Sequence, residues 1–247
     1  MTLLTERRDG TLVLTLNRPE ARNALNGEIA SALHDALTEA NGDDSVHTIV
    51  VTGAGDKVFS AGMDLRAFAA GEDLAPVGKA LGLLADFPKP VISACNGTAV
   101  AGGFEVVMRT DLVVAADHAQ FGIPEVKRGL VAAGGGTRLP TRIPLAIALE
   151  LGLTGEPISA ARALELGLVN RVVPGGQVLD TALELAALID ANGPLAVQAT
   201  KLLMREEVGP EPSARIAELV GPVFASEDAV EGATAFAEKR PAVWKGR

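Results

Sequence analysis

The chain of 247 residues contains a single cysteine, Cys95, so it cannot close a disulfide within itself, which fits a reducing compartment. A basic surplus is also lacking. The net charge of −9 argues against a nucleic-acid partner. It leaves room for an anionic small ligand held by a few arginines and backbone N–H groups. No stretch reaches the ~18 to 20 apolar residues that span a bilayer, so no membrane partner is expected. Glu6, Arg7, Arg8 and Asp9 interrupt the first apolar run, so no signal peptide is expected and the location is read as cytoplasmic. His34, His47 and His118 have no metal-ligand spacing, and no Cys/His cluster occurs, so no metal is expected. The stretch TGAGDK at 52–57 opens like a dinucleotide fingerprint, but the required third glycine is missing, and there is no Walker A pattern.

What is present is apolar. Hydrophobic residues make up 48%, enough for one large domain or a domain with an appendage. Two alternating runs around Asp9-Gly10 predict a hairpin. A helix is expected from Asn26 to Ala40, with Ile29, Leu33 and Leu37 at helical spacing. Three short β-branched runs, HTIVVTGAG, PVISACNG and DLVVAAD, read as buried strands, with helix at Leu74–Phe87 between the first two. The order implies stacked β–β–α units in an α/β architecture. After Gly134 the composition turns helical. Helices are expected at Gly176–Ala191, Pro194–Arg205, Ser213–Phe224 and Ser226–Lys239, with another starting at Ser159. The expected division is a core at 1–191 and a helical region at 192–247. The run Gly134-Gly135-Gly136 reads as a tight loop before a helix.

The stretches VFSAGMDL at 58–65 and NGTAVAGGFE at 96–105 each follow a predicted strand and precede an expected helix. Helix starts present N–H groups without intrahelical partners, and the dipole there favours negative charge. Two such turns facing each other could offer two donors to one oxygen, an oxyanion hole. Glu105 and Glu125 stand twenty residues apart in the most apolar part of the chain, where an unpartnered carboxylate is costly.

These segments resemble the crotonase, or enoyl-CoA hydratase/isomerase, superfamily. The resemblance runs through LNRPEARNAL at 16–25, FSAGMDL at 59–65, KPVISACNGTAVAGGFE at 89–105, FGIPEVKRGL at 121–130, LTGEPISAARALELGLVNRVV at 153–173 and SEDAVEGATAFAEKRPAVWKGR at the end. It implies an α/β crotonase (ClpP-like) fold, a spiral of β–β–α units with a C-terminal helical trimerisation region. It implies that Met63 and Gly102 supply the oxyanion N–H groups and that Glu105 and Glu125 are catalytic. It places coenzyme A contacts at Arg22, Ala61, Met63, Asp64, Leu65, Arg66 and Gly102. The implied reaction is reversible syn-addition of water to a 2-enoyl-CoA. Glu105 takes the proton of the water and Glu125 delivers one to C2. The implied partners are an acyl-CoA thioester and further copies of the chain, as a homotrimer or dimer of trimers. No cofactor is implied beyond the coenzyme A of the substrate. Phe236 and Lys239 are expected to reach a neighbour's ligand site.

Other readings compete. Ala101 stands where many hydratases carry a glycine, which keeps open a carnitinyl-CoA type dehydratase or an enoyl-CoA isomerase. A non-catalytic CoA-ester-binding protein is a further alternative, opposed by retention of both glutamates. Cys95 with a histidine base is a conceivable nucleophile, but its apolar strand favours a buried thiol. Lys57 and Arg66 flank the first oxyanion segment and are phosphate candidates. Arg7, Arg8, Lys127 and Arg128 read as solvated charges. The stretch Ala69–Gly82 is expected to border the acyl pocket.

Overall fold

The computed structural model describes residues 1–128, 130–132, 135–206, 222, 225–238 and 240–247. Strands β1 (Leu3–Arg8) and β2 (Thr11–Leu16) form the expected antiparallel hairpin, with Leu3 opposite Leu16. Asp9 turns the chain at φ +50°, a left-handed conformation that Asp tolerates. Helix α1 (Gly27–Gly42) starts at Asn26, whose side chain accepts the Ile29 N–H.

Three β–β–α passages follow. The first is β3 (Thr48–Gly53), β4 (Val58–Ser60), α2 (Leu65–Ala69) and α3 (Ala75–Ala85). The second is β5 (Val91–Cys95), β6 (Thr98–Val100) and α4 (Gly102–Arg109). The third is β7 (Leu112–Ala116), β8 (Gln120–Gly122) and the 3-10 helices Pro124–Arg128 and Gly136–Thr141, leading to α5 (Leu145–Thr154). Then come β9 (Ile158–Ser159), α6 (Ala160–Glu165), β10 (Arg171–Val173), α7 (Val178–Asp190), α8 (Pro194–Glu206) and α9 (Glu227–Glu238).

The first strand of each passage enters a six-stranded sheet in the order β1-β2-β3-β5-β7-β10, parallel from β2 onward. The second strand enters a four-stranded sheet in the order β4-β6-β8-β9. Successive passages therefore stack side by side in both sheets, which is the expected spiral. All residues of β3 and β5 are buried, as continuous apolar runs in a parallel sheet require. Ile29, Leu33 and Leu37 of α1 and Val77, Ala80, Leu81 and Leu84 of α3 are buried in the same core. Helix α7 lies across β3, β5 and β7 and buries Val178, Ala182 and Ala186.

The second strands were not foreseen as strands. At two or three residues each, β4, β6, β8 and β9 are too short to show a period. The Ala69–Gly82 stretch is helical from Ala75, with Pro76 in the first turn, where its missing N–H costs nothing. Apart from Pro222, the helix expected at Ser213–Phe224 falls outside the described residues. So do Lys239 and the side chain of Phe236. No helix among the described residues is long and apolar enough to cross a membrane.

Helix α8 is tied to the sheet by buried charge. Lys201 Nζ lies 2.7 Å from Asp111 Oδ2, and Arg205 Nη2 lies 2.7 Å from Asp111 Oδ1. Asp111 also accepts the Val91 N–H at 2.7 Å, and Lys201 donates to the Lys89 carbonyl at 2.7 Å. Burial lowers the Lys201 ammonium from 10.5 to about 8, against the pull of Asp111. Between those values the unfolded chain holds a proton that the folded chain has released, so stability rises with pH. The contribution is complete above the unfolded value and lost as pH falls through about 8. At ~1.36 kcal/mol per unit it amounts to at most about 3 kcal/mol. In urea denaturation, wild type is expected to gain stability relative to Lys201→Met from about pH 7.5 to about pH 10. A difference that stays flat across that range would count against the assignment.

Candidate active site

The segment that follows β2 builds the first turn of the site. Asn23 is fully buried and has φ +53°. Its Nδ2 donates to the Ala54 and Val58 carbonyls at 3.0 and 2.9 Å, its Oδ1 accepts the Arg18 N–H at 3.0 Å, and its carbonyl accepts Ser60 Oγ at 2.8 Å. Arg18 Nη1 reaches the Ala24 carbonyl at 2.7 Å and Asp64 Oδ2 at 3.0 Å. Leu25 forms an isolated parallel bridge with Met63. Its N–H donates to the Gly62 carbonyl at 2.7 Å, and its carbonyl accepts the Asp64 N–H at 2.9 Å. Because backbone groups alternate along an extended segment, the Met63 N–H points away from Leu25.

That direction leads to α4. Strand β6 ends at Val100, and the next residue, Ala101, caps α4 with a φ of +51° and a ψ of −133°, strained for a residue with a Cβ. Gly102 then opens the helix, so its N–H has no intrahelical acceptor. The two turns touch. A Cβ added to Gly62 would lie 2.5 Å from Gly102 N, and one added to Gly102 would lie 3.2 Å from Met63 N. Gly62 also has φ +86°, which a side chain would strain. One residue on, a Cβ at Gly103 would sit 2.2 Å from the Ser60 carbonyl oxygen. Neither the Met63 nor the Gly102 N–H donates to a protein acceptor among the described residues. Two unoccupied donors therefore stand side by side at a helix N-terminus, suited to an oxygen that gains negative charge.

Glu105 lies in the first turn of α4 and is only 5% exposed. Its Oε1 accepts the Gly136 N–H at 2.9 Å. Gly136 starts the 3-10 helix after the glycine run, and a Cβ there would meet Ala132 Cβ at 2.5 Å and Ile123 Cγ2 at 3.0 Å. Ile123 leads into the short helix that carries half-buried Glu125, whose carbonyl accepts the Leu130 N–H at 3.1 Å. Helix α5 packs on both 3-10 helices. The Glu125 segment is thereby held against the Gly136 turn that fixes Glu105.

The remaining expected binding residues surround the first turn. Arg22 is exposed, and its carbonyl accepts the Ala61 N–H at 3.0 Å. Leu65 and Arg66 are exposed at the start of α2. The Asp64 side chain caps α2 through the Arg66 and Ala67 N–H groups. Burial acts to raise the Asp64 carboxyl, but the Ala67 N–H, Arg18 and the Arg66 N–H outweigh it and hold it below the ordinary range. Its side chain is thus committed to the turn, as are its N–H, which donates to the Leu25 carbonyl, and its carbonyl, which accepts the Phe68 N–H at 2.9 Å. Lys57 is exposed beside β4, where its carbonyl accepts the Thr98 N–H at 3.0 Å. Cys95 is fully buried in β5, and burial pushes its thiol far up, which makes it unfit as a nucleophile.

Sequence reasoning missed Arg18, Asn23 and Gly136. Arg18 and Asn23 lie inside LNRPEARNAL but act through contacts with residues far along the chain. Gly136 was read only as loop, although a glycine run before a helix signals free N–H groups. Asn23→Ala removes three side-chain hydrogen bonds and leaves an alanine at positive φ, so it should cost about 3 kcal/mol in chemical denaturation. Gly103→Ala should cost at least about 2 kcal/mol, because β4 backbone would have to move. Either variant at wild-type stability would contradict this account of the turn.

The family model described as enoyl-CoA hydratase/isomerase matches residues 6–247. A protein of Salmonella paratyphi B named carnitinyl-CoA dehydratase is 42% identical over 249 residues, covering 96% of this chain and 95% of that protein. The crystal structure of an enoyl-CoA hydratase from Mycobacterium tuberculosis is similar at TM-score 0.93 and 48% identity, covering 100% of this chain and 99% of that one. That of a carnitinyl-CoA hydratase from Mycobacterium avium is similar at TM-score 0.80 and 47% identity, with the same coverage. With the two-sheet spiral and both motif turns in place, the chain belongs to the enoyl-CoA hydratase/isomerase family and has the crotonase fold.

Proposed function

We propose that the protein is a 2-enoyl-CoA hydratase that adds water reversibly, with syn geometry, across the C2=C3 bond of the thioester. The observation that carries this reading is a buried carboxylate, Glu105, oriented by the Gly136 N–H and one helical turn from the Met63/Gly102 donor pair.

The thioester oxygen would sit between the Met63 and Gly102 N–H groups. As the nucleophile adds to C3, charge moves through C2 onto that oxygen, and both donors and the α4 dipole stabilise it. Loss of one such donor typically costs ~3 kcal/mol of barrier. Glu105 has Oε1 engaged by Gly136, which leaves Oε2 for the water. It takes a proton as the hydroxyl bonds to C3. Glu125 gives a proton to C2. The step leaves Glu105 protonated and Glu125 ionised, and the proton then returns to Glu125 through solvent. Run backwards, the same groups dehydrate a 3-hydroxyacyl-CoA.

Coenzyme A, as part of the substrate, would lie along Arg22, Ala61 and Met63–Arg66, with Lys57 and Arg66 near its phosphates. No separate cofactor is required. We place the enzyme in the cytoplasm, as a homotrimer or dimer of trimers.

A second reading, dehydration of a carnitinyl-type acyl-CoA, is supported by the names of the Salmonella and Mycobacterium avium relatives. Recognition of a quaternary ammonium usually relies on aromatic faces. The chain has no tyrosine and a single tryptophan, and Phe59, Phe87, Phe104 and Phe121 are fully buried in the core, which leaves Phe68 on α2 as the exposed phenylalanine among the described side chains. This shortage favours an uncharged enoyl chain.

The test is loss of the conjugated enoyl-thioester absorbance with crotonyl-CoA, beside carnitinyl-CoA in the reverse direction. Glu105→Gln and Glu125→Gln should each lower kcat by about 10²- to 10⁴-fold. Turnover of carnitinyl-CoA alone would favour the second reading. Wild-type turnover that survives both substitutions would rule out the two-carboxylate mechanism.

A further inference from the structure

Arg109 closes α4, four residues after Glu105, so both side chains fall on one face of the helix. Arg109 is half-buried, with its Nε shielded from solvent. Nη1 donates to the Leu81 carbonyl of α3 at 2.9 Å. A Cβ built on Gly135 would lie 3.4 Å from Arg109 Nε, 3.4 Å from Nη2 and 3.7 Å from Cζ. The two nitrogens lie nearer than the carbon between them, so the Nε–Nη2 edge of the group fills the space beside the Gly135 α-carbon. Gly135 has φ +151°, and the next residue, Gly136, carries the N–H that holds Glu105 Oε1.

We propose that Arg109 is a positioning residue for Glu105: its guanidinium, pinned by Leu81 and packed edge-on against Gly135, seats the turn whose Gly136 N–H orients the carboxylate, and sets a positive charge beside it. An exposed pair at this spacing contributes little to a helix. Placing the cation under cover adds a desolvation cost that needs compensation. Burial lowers the Arg109 guanidinium from its ordinary value, with Glu105 opposing, Arg138 acting in the same direction as burial, and Asp86 opposing. Glu105 thus belongs to the compensation.

The proposal rests on Glu105 being the carboxylate that handles the water, so its test has one readout that needs no turnover. Hydrogen–deuterium exchange is measured over Gly135–Thr141 in wild type, Arg109→Met and Arg109→Lys. Exchange at the Gly136 amide is expected to be about 10-fold faster or more in Arg109→Met. Arg109→Lys keeps the charge without the flat fork and should fall between the two. With a turned-over enoyl-CoA, Arg109→Met should lower kcat about 10- to 100-fold and leave KM within about 3-fold. Added ethylguanidine should restore part of kcat in Arg109→Ala. Wild-type exchange at Gly136 in both variants would overturn the proposal, as would a loss confined to KM with kcat unchanged. If Arg109→Met does not fold, Arg109→Lys decides: wild-type exchange and kcat overturn the proposal, faster exchange supports it. Absence of turnover in wild type would instead strike the hydratase reading and leave the exchange result to judge Arg109.

Discussion

The backbone contact between the Gly62–Met63 turn and the first residues of α4 is the constraint on which the site depends. Two peptide N–H groups can point at one oxygen only if their chains approach without intervening side chains. Gly62, Gly102 and Gly103 make that approach, and a methyl group at Gly62 or Gly103 would fall within 2.5 Å of backbone atoms. The contact is held from outside. Strands β4 and β6 are parallel neighbours in the small sheet, as β3 and β5 are in the large one. Arg18, Asn23 and Leu25 grip the first turn from a third direction. Close-packed surroundings transmit strain, so the donors are positioned before any ligand arrives.

Helix α4 organises the charges near this contact. Glu105 in its first turn and Arg109 in its last each sit where the helix dipole favours them. Just beyond, Asp111 collects Lys201, Arg205 and the Val91 N–H and so joins α8 to the same helix end. Asp64, across the site, pairs with Arg18 and caps α2. Each of these covered charges has an opposite charge or an N–H donor at hand, as burial demands. The acidic net charge of the chain is therefore compatible with cationic side chains concentrated around one helix.

Ala101 illustrates how function and local strain meet. A residue with a Cβ is kept at φ +51° because Ala101 N–H bonds to Gly122 and its carbonyl accepts the Glu105 N–H. These two bonds define where β6 stops and α4 starts. The strained turn delivers Gly102 to Met63 and Glu105 to Gly136 in a single helical turn.

Much of the fold was legible in the chain. The Asp9-Gly10 hairpin, the helix after Asn26, the three buried strands and the Ser159 cap all follow from short-range chemistry: turn residues, capping side chains and runs of β-branched residues. The glutamates and the two small-residue turns could likewise be picked out, because carboxylates and glycines in apolar stretches stand out locally. Their arrangement could not. The short strands of the second sheet acquire meaning only through their neighbours. Asn23 became a hub because its partners lie up to 37 residues away. Gly136 and Arg109 bear on Glu105 only once α3, α4 and the glycine turn are packed together. Sequence by itself determined which chemical groups exist and the local conformations that expose them. Tertiary structure alone decided which groups meet, because the directions of an N–H or a guanidinium are set by packing between segments that carry no record of one another.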